Sequence, residues 1–185
     1  MANYQLTPIS PGQSAIHRFD GLCIREITSN SIFSCAVDSK HTRDVSAVLN
    51  STLQLTWPTI GQCTTANKAL CLGLQIDQCF VILENDHTNA NEAVSTLKEI
   101  AALTDQSDGW VTIEISGLRS RDVLERICPI NLETNHFPSH TVARTSMEHL
   151  SVIIIRLDED FLMLSPRSSA DSFLHSVVQS AEYVI

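Results

Sequence analysis

The chain is poor in the residues from which nucleotide and nucleic-acid sites are built. Its 185 residues include six glycines, which never fall into G-x-G-x-x-G or G-x-x-x-x-G-K-[ST], so a dinucleotide fingerprint and a phosphate loop are both missing. Aromatic residues make up 5%, leaving few platforms on which the bases of a single strand could stack. Lysine occurs only at positions 40, 68 and 98, and the formal net charge is −9. Such a surface repels phosphate backbones and anionic lipid, so neither nucleic acid nor a membrane is expected as a partner. There is no G-x-S-x-G elbow and no H-E-x-x-H. The longest purely aliphatic run is Val152 to Ile155. A spanning helix needs roughly 20 apolar residues. The amino terminus has no basic stretch followed by an apolar one, and a cytoplasmic location is expected.

What is present is an ordinary globular mixture, 43% apolar and 18% charged. A chain of this length buries roughly 70% of its unfolded surface, enough for a core without staples. Six cysteines stand at 23, 35, 63, 71, 79 and 128 with no C-x-x-C pair, most of them inside apolar runs such as Ala69-Leu70-Cys71-Leu72. They read as reduced, buried thiols.

Residues 1–21 carry Pro8, Pro11, Gly12 and Gly21 without sustained periodicity and read as an N-terminal arm. From Leu22 onward, strands are expected at 23–27, 31–37, 69–74, 79–83, 110–115, 141–147, 150–157 and 161–164. Helices are expected at 42–50, after Asn89, at 118–127 and from Ser168 or Ser169. Asn89 and Glu92 have the spacing of a polar cap, and Asp122 and Arg126 that of an i,i+4 ion pair. The stretch 51–68, with Trp57-Pro58 and Gly61, reads as a loop, and Cys128-Pro129 ends the third helix. The alternation of strands and helices repeats. Thr42-Arg43-Asp44-Val45 aligns with Ser120-Arg121-Asp122-Val123, and Phe80-Val81-Ile82-Leu83 with Phe161-Leu162-Met163-Leu164, each followed by an amphipathic helix. The reading is α+β: two half-repeats of β-α-β-β-α type, 22–104 and 105–185, in one compact domain with helices on one face of a mostly antiparallel sheet.

Catalytic groupings are hard to find. His136 and His140 have the spacing of two ligands on a helical turn, but Pro138 lies between them, and loop histidines beside Asn135 are expected to be solvated rather than metal-bound. Asp158-Glu159-Asp160 sits between two strands and reads as a charged turn. Arg119, Arg121 and Arg126 read as a solvated face, Arg121 having Glu125 at helical spacing. Glu133 and Glu148 have no partner carboxylate in sequence. Arg167 stands at the start of the last helix, where the macrodipole disfavours a cation, so it is expected to pair with a carboxylate or to reach a neighbouring subunit. Nucleophile, base and orienting group do not assemble in any recognisable order.

The second half carries a resemblance. Asp108-Gly109-Trp110-Val111-Thr112-Ile113-Glu114-Ile115-Ser116-Gly117 leads into Arg121-Asp122-Val123-Leu124 and Cys128-Pro129-Ile130-Asn131-Leu132. Phe137-Pro138, Ala143-Arg144-Thr145 and Pro166-Arg167-Ser168-Ser169-Ala170-Asp171 follow. In that order this resembles the gamma subunit of heterotetrameric sarcosine oxidase. Ile24-Arg25-Glu26-Ile27, Gly73 and Phe80 resemble its first half, so the likeness spans about 22–184. The family tends to have aspartate where Asn131 stands and an aromatic residue where Ser169 stands.

The resemblance implies a fold akin to the folate-binding domain of aminomethyltransferases, made of duplicated β-α-β-β-α units. It implies a complex that oxidatively demethylates sarcosine to glycine, with alpha, beta and delta subunits as this chain's partners. FAD, FMN, NAD, zinc and tetrahydrofolate are expected on those partners and none on this chain. No catalytic, cofactor-binding or metal residue is carried over. Two further readings remain open: a stand-alone folate-binding or aminomethyltransferase-like module, and a structural interaction protein unrelated to amine oxidation. The RNA-modifying branch of the same fold group carries K-G-C-[YF]-x-G-Q-E, which Cys128, between Ile127 and Pro129, does not match.

Overall fold

Alternating apolar residues and short polar turns organise most of this chain into antiparallel strands. The computed structural model describes residues 10–12, 16–38 and 40–185. Among these described residues eleven strands and four α-helices follow in order: β1 (Ile16–Phe19), β2 (Leu22–Ile27), β3 (Asn30–Ala36), α1 (Thr42–Leu53), β4 (Cys63–Ala66), β5 (Ala69–Gly73), β6 (Gln78–Glu84), α2 (Ala90–Ile100), β7 (Ala102–Asp105), β8 (Trp110–Ser116), α3 (Ser120–Leu124), β9 (Val142–Met147), β10 (Leu150–Leu157), β11 (Asp160–Pro166) and α4 (Ala170–Val184). A 3-10 turn, Arg167–Ser169, leads into α4.

The strands form two antiparallel sheets, a larger one ordered β1-β2-β8-β11-β10-β9 and a smaller one ordered β4-β5-β6-β3-β7. Three apolar cores define the layers. Ile24, Ile113, Ile154 and Phe161 of the larger sheet pack against Val123 of α3 and Phe173 and Val177 of α4. Cys35, Cys71 and Val81 of the smaller sheet pack against Val45 and Leu49 of α1 and Ala93 and Leu97 of α2. Ile32, Leu72, Phe80 and Ile82 of the smaller sheet meet Val142, Ile153, Ile155 and Leu164 of the larger one. The order is helices, sheet, sheet, helices. Period-two alternation explains the arrangement: neighbours such as Ile153 and Ile154 feed opposite cores, so both faces of β10 are buried and the run reads as continuous aliphatic.

Two edges are stitched together. Cys63 N–H donates to the His140 carbonyl at 2.8 Å and Val142 N–H to the Gly61 carbonyl at 2.9 Å, joining the ends of β4 and β9. Two hairpins close on pairs of residues with positive φ, Asn67-Lys68 between β4 and β5 and Glu148-His149 between β9 and β10. That is the backbone twist that two-residue hairpin loops require.

Several expectations change in the structure. Residues 1–9 and 13–15 of the expected arm lie outside the described residues, while Ile16–Phe19 is a strand rather than loop. The stretch 51–68 contains the end of α1 and all of β4. The helix expected over 118–127 is a single short turn, Ser120–Leu124, closed by Ile127 and Cys128 N–H bonds to the Leu124 carbonyl. Asp122 therefore pairs with Arg119 at 2.8 Å instead of Arg126, whose guanidinium lies over the Tyr183 ring. Asn89 does hold the N-cap position of α2, but its side-chain amide donates to the Thr52 carbonyl of α1 rather than capping its own helix. The strand Leu22–Ile27, counted with the first half by sequence, pairs with β8 in the larger sheet.

Candidate functional site

The chain crosses from one sheet to the other between β2 and β3, and the crossing opens a cleft. Along β2 the core-facing positions are Leu22, Ile24 and Glu26, so alternation carries a carboxylate onto the buried face. Glu26 is 9% exposed and accepts a hydrogen bond from Ser10 Oγ. Around it a cavity of about 360 Å³ is lined by Ser10, Asn30, Ser107, Trp110 and Arg167 among others. Its walls are tied down. Ile32 N–H donates to Ser107 Oγ at 3.0 Å, and Arg167 N–H to the Gly109 carbonyl at 3.0 Å. Trp110 stands edge-on to Phe80 of the opposite sheet, with ring centroids 5.9 Å apart, and the Arg144 guanidinium lies over the Trp110 ring at 5.7 Å.

A second, more open groove of about 490 Å³ lies where the end of α1 meets the β4–β5 turn and the approach to α2. Lys68 Nζ pairs with Asp86 at 2.7 Å and with Glu84 at 3.3 Å. The Asp86 carboxylate raises the Lys68 ammonium above its ordinary value, and the Lys68 hydrogen bond holds Asp86 below the usual carboxylate range. All three side chains are exposed, so these pairs weigh little in folding.

The cysteines are free and, Cys23 apart, buried. Cys35 and Cys79 face each other across β3 and β6. Hydrogen bonding between the two thiols and burial push Cys35 far up, and burial pushes Cys63 up to about 11. Thiols held neutral in this way are inert as nucleophiles and ligands.

The residues singled out from sequence do not converge. His136 Nδ1 sits 2.8 Å from Asn135 Oδ1 and 3.8 Å from Glu133, while His140 is a positive-φ residue whose N–H donates to the Arg156 carbonyl. No group of three or more His, Cys, Asp or Glu side chains able to hold a metal occurs among the described residues. Asp158 and Glu159 turn β10 into β11, with Asp158 at positive φ. Arg121 pairs with Glu125 at 3.3 Å, as its spacing predicts. Arg167 is half-buried against the cleft, so its charge is not simply screened by solvent. Glu26 and Arg156 are the positions that sequence reasoning passed over. Their signal was a charged residue in an apolar register, at the end of Leu22-x-Ile24 and of Val152 to Ile155. The cleft offers a carboxylate, a guanidinium, hydroxyls and one aromatic wall, which can hold a small polar group by hydrogen bonds.

No protein-family model matches the sequence, and no curated protein matches it either. Solved structures do match. A chain of the heterotetrameric sarcosine oxidase from Corynebacterium sp. U-96, in complex with pyrrole 2-carboxylate, superposes with a TM-score of 0.80 over 95% of both chains, at 16% identity. The chain has that fold. The glycine cleavage system aminomethyltransferase T from Bartonella henselae matches at a TM-score of 0.59 and 13% identity, over 83% of this chain and 44% of its own. This chain thus spans less than half of that aminomethyltransferase. At such identities the likeness is one of fold, a mixed α/β architecture of two antiparallel sheets. No helix among the described residues is long and apolar enough to cross a membrane.

Proposed function

We propose that this chain is a non-catalytic subunit, of the gamma type, in a heterotetrameric sarcosine oxidase that converts sarcosine to glycine in the cytoplasm. The observation that carries the reading is the reciprocal fold match over 95% of this chain and of the sarcosine oxidase chain. A shared domain inside a larger enzyme would cover only part of its counterpart, as happens with the aminomethyltransferase. The order of motifs from Asp108 to Asp171 supports the same reading. Alpha, beta and delta chains are the partners, and they carry FAD, FMN, NAD, zinc and tetrahydrofolate.

The chain is also read as a duplication. Four strands of each sheet follow one order, β4-β5-β6-β3 and β9-β10-β11-β8, and the paired motifs fall at equivalent places, the starts of α1 and α3 and the strands β6 and β11. The match to aminomethyltransferase T favours a second reading, a folate-binding module.

The test is co-expression with the large oxidase subunits. The chain alone purifies colourless and does not oxidise sarcosine. With its partners it copurifies stoichiometrically and raises the yield of active oxidase. Turnover by the chain alone, or a stable and fully active oxidase without it, refutes the proposal, and tetrahydrofolate binding to the isolated chain favours the second reading.

A further inference from the structure

The two sheets stop at different points. Beyond the four strands of common order each continues with one more antiparallel strand, β2 beside β8 and β7 beside β3. In the larger sheet β2 is itself covered by β1, which pairs from Ile16 to Phe19 with Arg25 to Leu22. Among the described residues β7 has no such cover. Among the described residues the smaller sheet has five strands and the larger six.

The ladder determines which backbone groups face that gap. Gln106 N–H donates to the Ile32 carbonyl at 2.8 Å, and β7 continues this register along β3 through Ser34–Thr104 and Ala36–Ala102. In an antiparallel pair bonded and non-bonded positions alternate, so the N–H and C=O groups of Leu103 and Asp105 point out of the edge. The side chains alternate as well. Leu103 packs into the apolar layer under α1 and α2 beside Ile100, while Ala102 and Thr104 are exposed on the other face. Natural edges are blunted by shortness, charge, proline or a bulge. Ala102-Leu103-Thr104-Asp105 is short and carries one charge, at Asp105, but it has no lysine, proline or bulge and pairs with β3 in unbroken register.

We infer that the β7 edge takes up an extended segment of one of the chain's assembly partners as the sixth strand of the smaller sheet. The inference rests on the proposed role as a subunit and names the surface that role uses. The incoming segment carries an apolar residue beside Leu103, to continue the layer with Ile100, and small or polar residues beside Ala102 and Thr104. A basic residue next to Asp105 completes it, because hydrogen bonds from Ser107 hold that carboxylate below its ordinary value and therefore charged. A second copy of this chain is a poorer occupant, since each copy carries a net charge of −9.

Amide hydrogen exchange in peptides spanning 101–107 tests the inference, measured on the chain alone and on the complex with co-expressed oxidase subunits. Fast exchange at Leu103 and Asp105 in the free chain and slowed exchange in the complex are expected. Asp105→Pro removes the outward N–H together with the carboxylate that Ser107 N–H and Oγ bond. It is therefore expected to lower the melting temperature of the free chain by a few degrees and, with the refolded chain in excess, to cut the copurified amount about tenfold. Asp105→Asn keeps the N–H and is expected to keep most of the copurification. If Asp105→Pro fails to fold, exchange in the unmodified chain decides. A complex in which 101–107 still exchanges fast, protection already present in the free monomer, or self-association through β7 overturns the inference and leaves the proposed function standing. Absence of any complex overturns both.

Discussion

Arg156 follows the aliphatic run of β10 and reaches back into the 132–140 loop. It is 3% exposed, and its guanidinium donates to the carbonyls of Asp158 at 2.8 Å, Leu132 at 3.0 Å and Phe137 at 3.2 Å, and to Thr134 Oγ1 at 3.1 Å. The Phe161 ring lies beneath it at 5.4 Å. One planar fork thus satisfies acceptors from both ends of a loop that has no secondary structure of its own. Glu159, whose side chain is 77% exposed and 3.4 Å away, adds little to this. Arg156→Met keeps the bulk but orphans those carbonyls, with an expected loss of about 3–5 kcal/mol in urea unfolding. Arg156→Lys recovers only part of it, because an ammonium cannot span the same acceptors in one plane. Equal stability of the Met variant and the parent would show that water serves those carbonyls as well.

Among the elements, β5 shows how closely backbone can approach backbone. Gly73 ends that strand, its N–H donating to the Gln62 carbonyl and its carbonyl accepting from Gly61 N–H, both at 2.9 Å. A Cβ there would overlap the Thr59 carbonyl. Gly73→Ala must therefore push the 59–62 segment outward, the same segment that stitches β4 to β9. A loss of about 2–3 kcal/mol is expected in thermal or urea unfolding. Gly21→Ala is the contrast. Gly21 has φ +69 with open space around it, so only backbone strain of about 1 kcal/mol is expected. The reverse ranking would mean that the 59–62 segment gives way freely.

Across the whole molecule the strand next to β3 comes after α2, whereas the strand next to β8 comes from the start of the chain. The carboxyl end and the start of β2 both contact the short segment between β8 and α3. Arg119 Nη2 donates to the Val184 carbonyl at 3.0 Å, and Gly117 abuts Leu22. A chain that starts at Ser29 and carries Ile16–Thr28 after Ile185 is therefore expected to fold. The linker needs about twelve Gly/Ser residues at roughly 3.3 Å each, enough to reach the far end of β1. Far-UV circular dichroism like the parent's and a cooperative melt are the expected results. A molten, non-cooperative product would show that folding needs β2 to be made before β3.

The sequence alone determined the pattern of elements wherever burial is periodic. Strands β2, β3, β5, β6 and β8 to β11, helices α1, α2 and α4, and the free thiols were legible because side-chain alternation and helical stripes are local properties of the chain. Arg121–Glu125 was legible for the same reason. The short strands β1, β4 and β7 were not, since four residues carry too little periodicity and each exists because a neighbour supplies its hydrogen bonds. The cleft at Glu26 and the Arg156 hub were likewise out of reach. Their partners come from segments far apart in the chain, and nothing local records which carbonyl a buried guanidinium will meet. Tertiary structure alone decided that β2 joins the larger sheet and that β7 is the last strand of the smaller one among the described residues, because sheet membership is settled by which strands find complementary backbone and a shared apolar face.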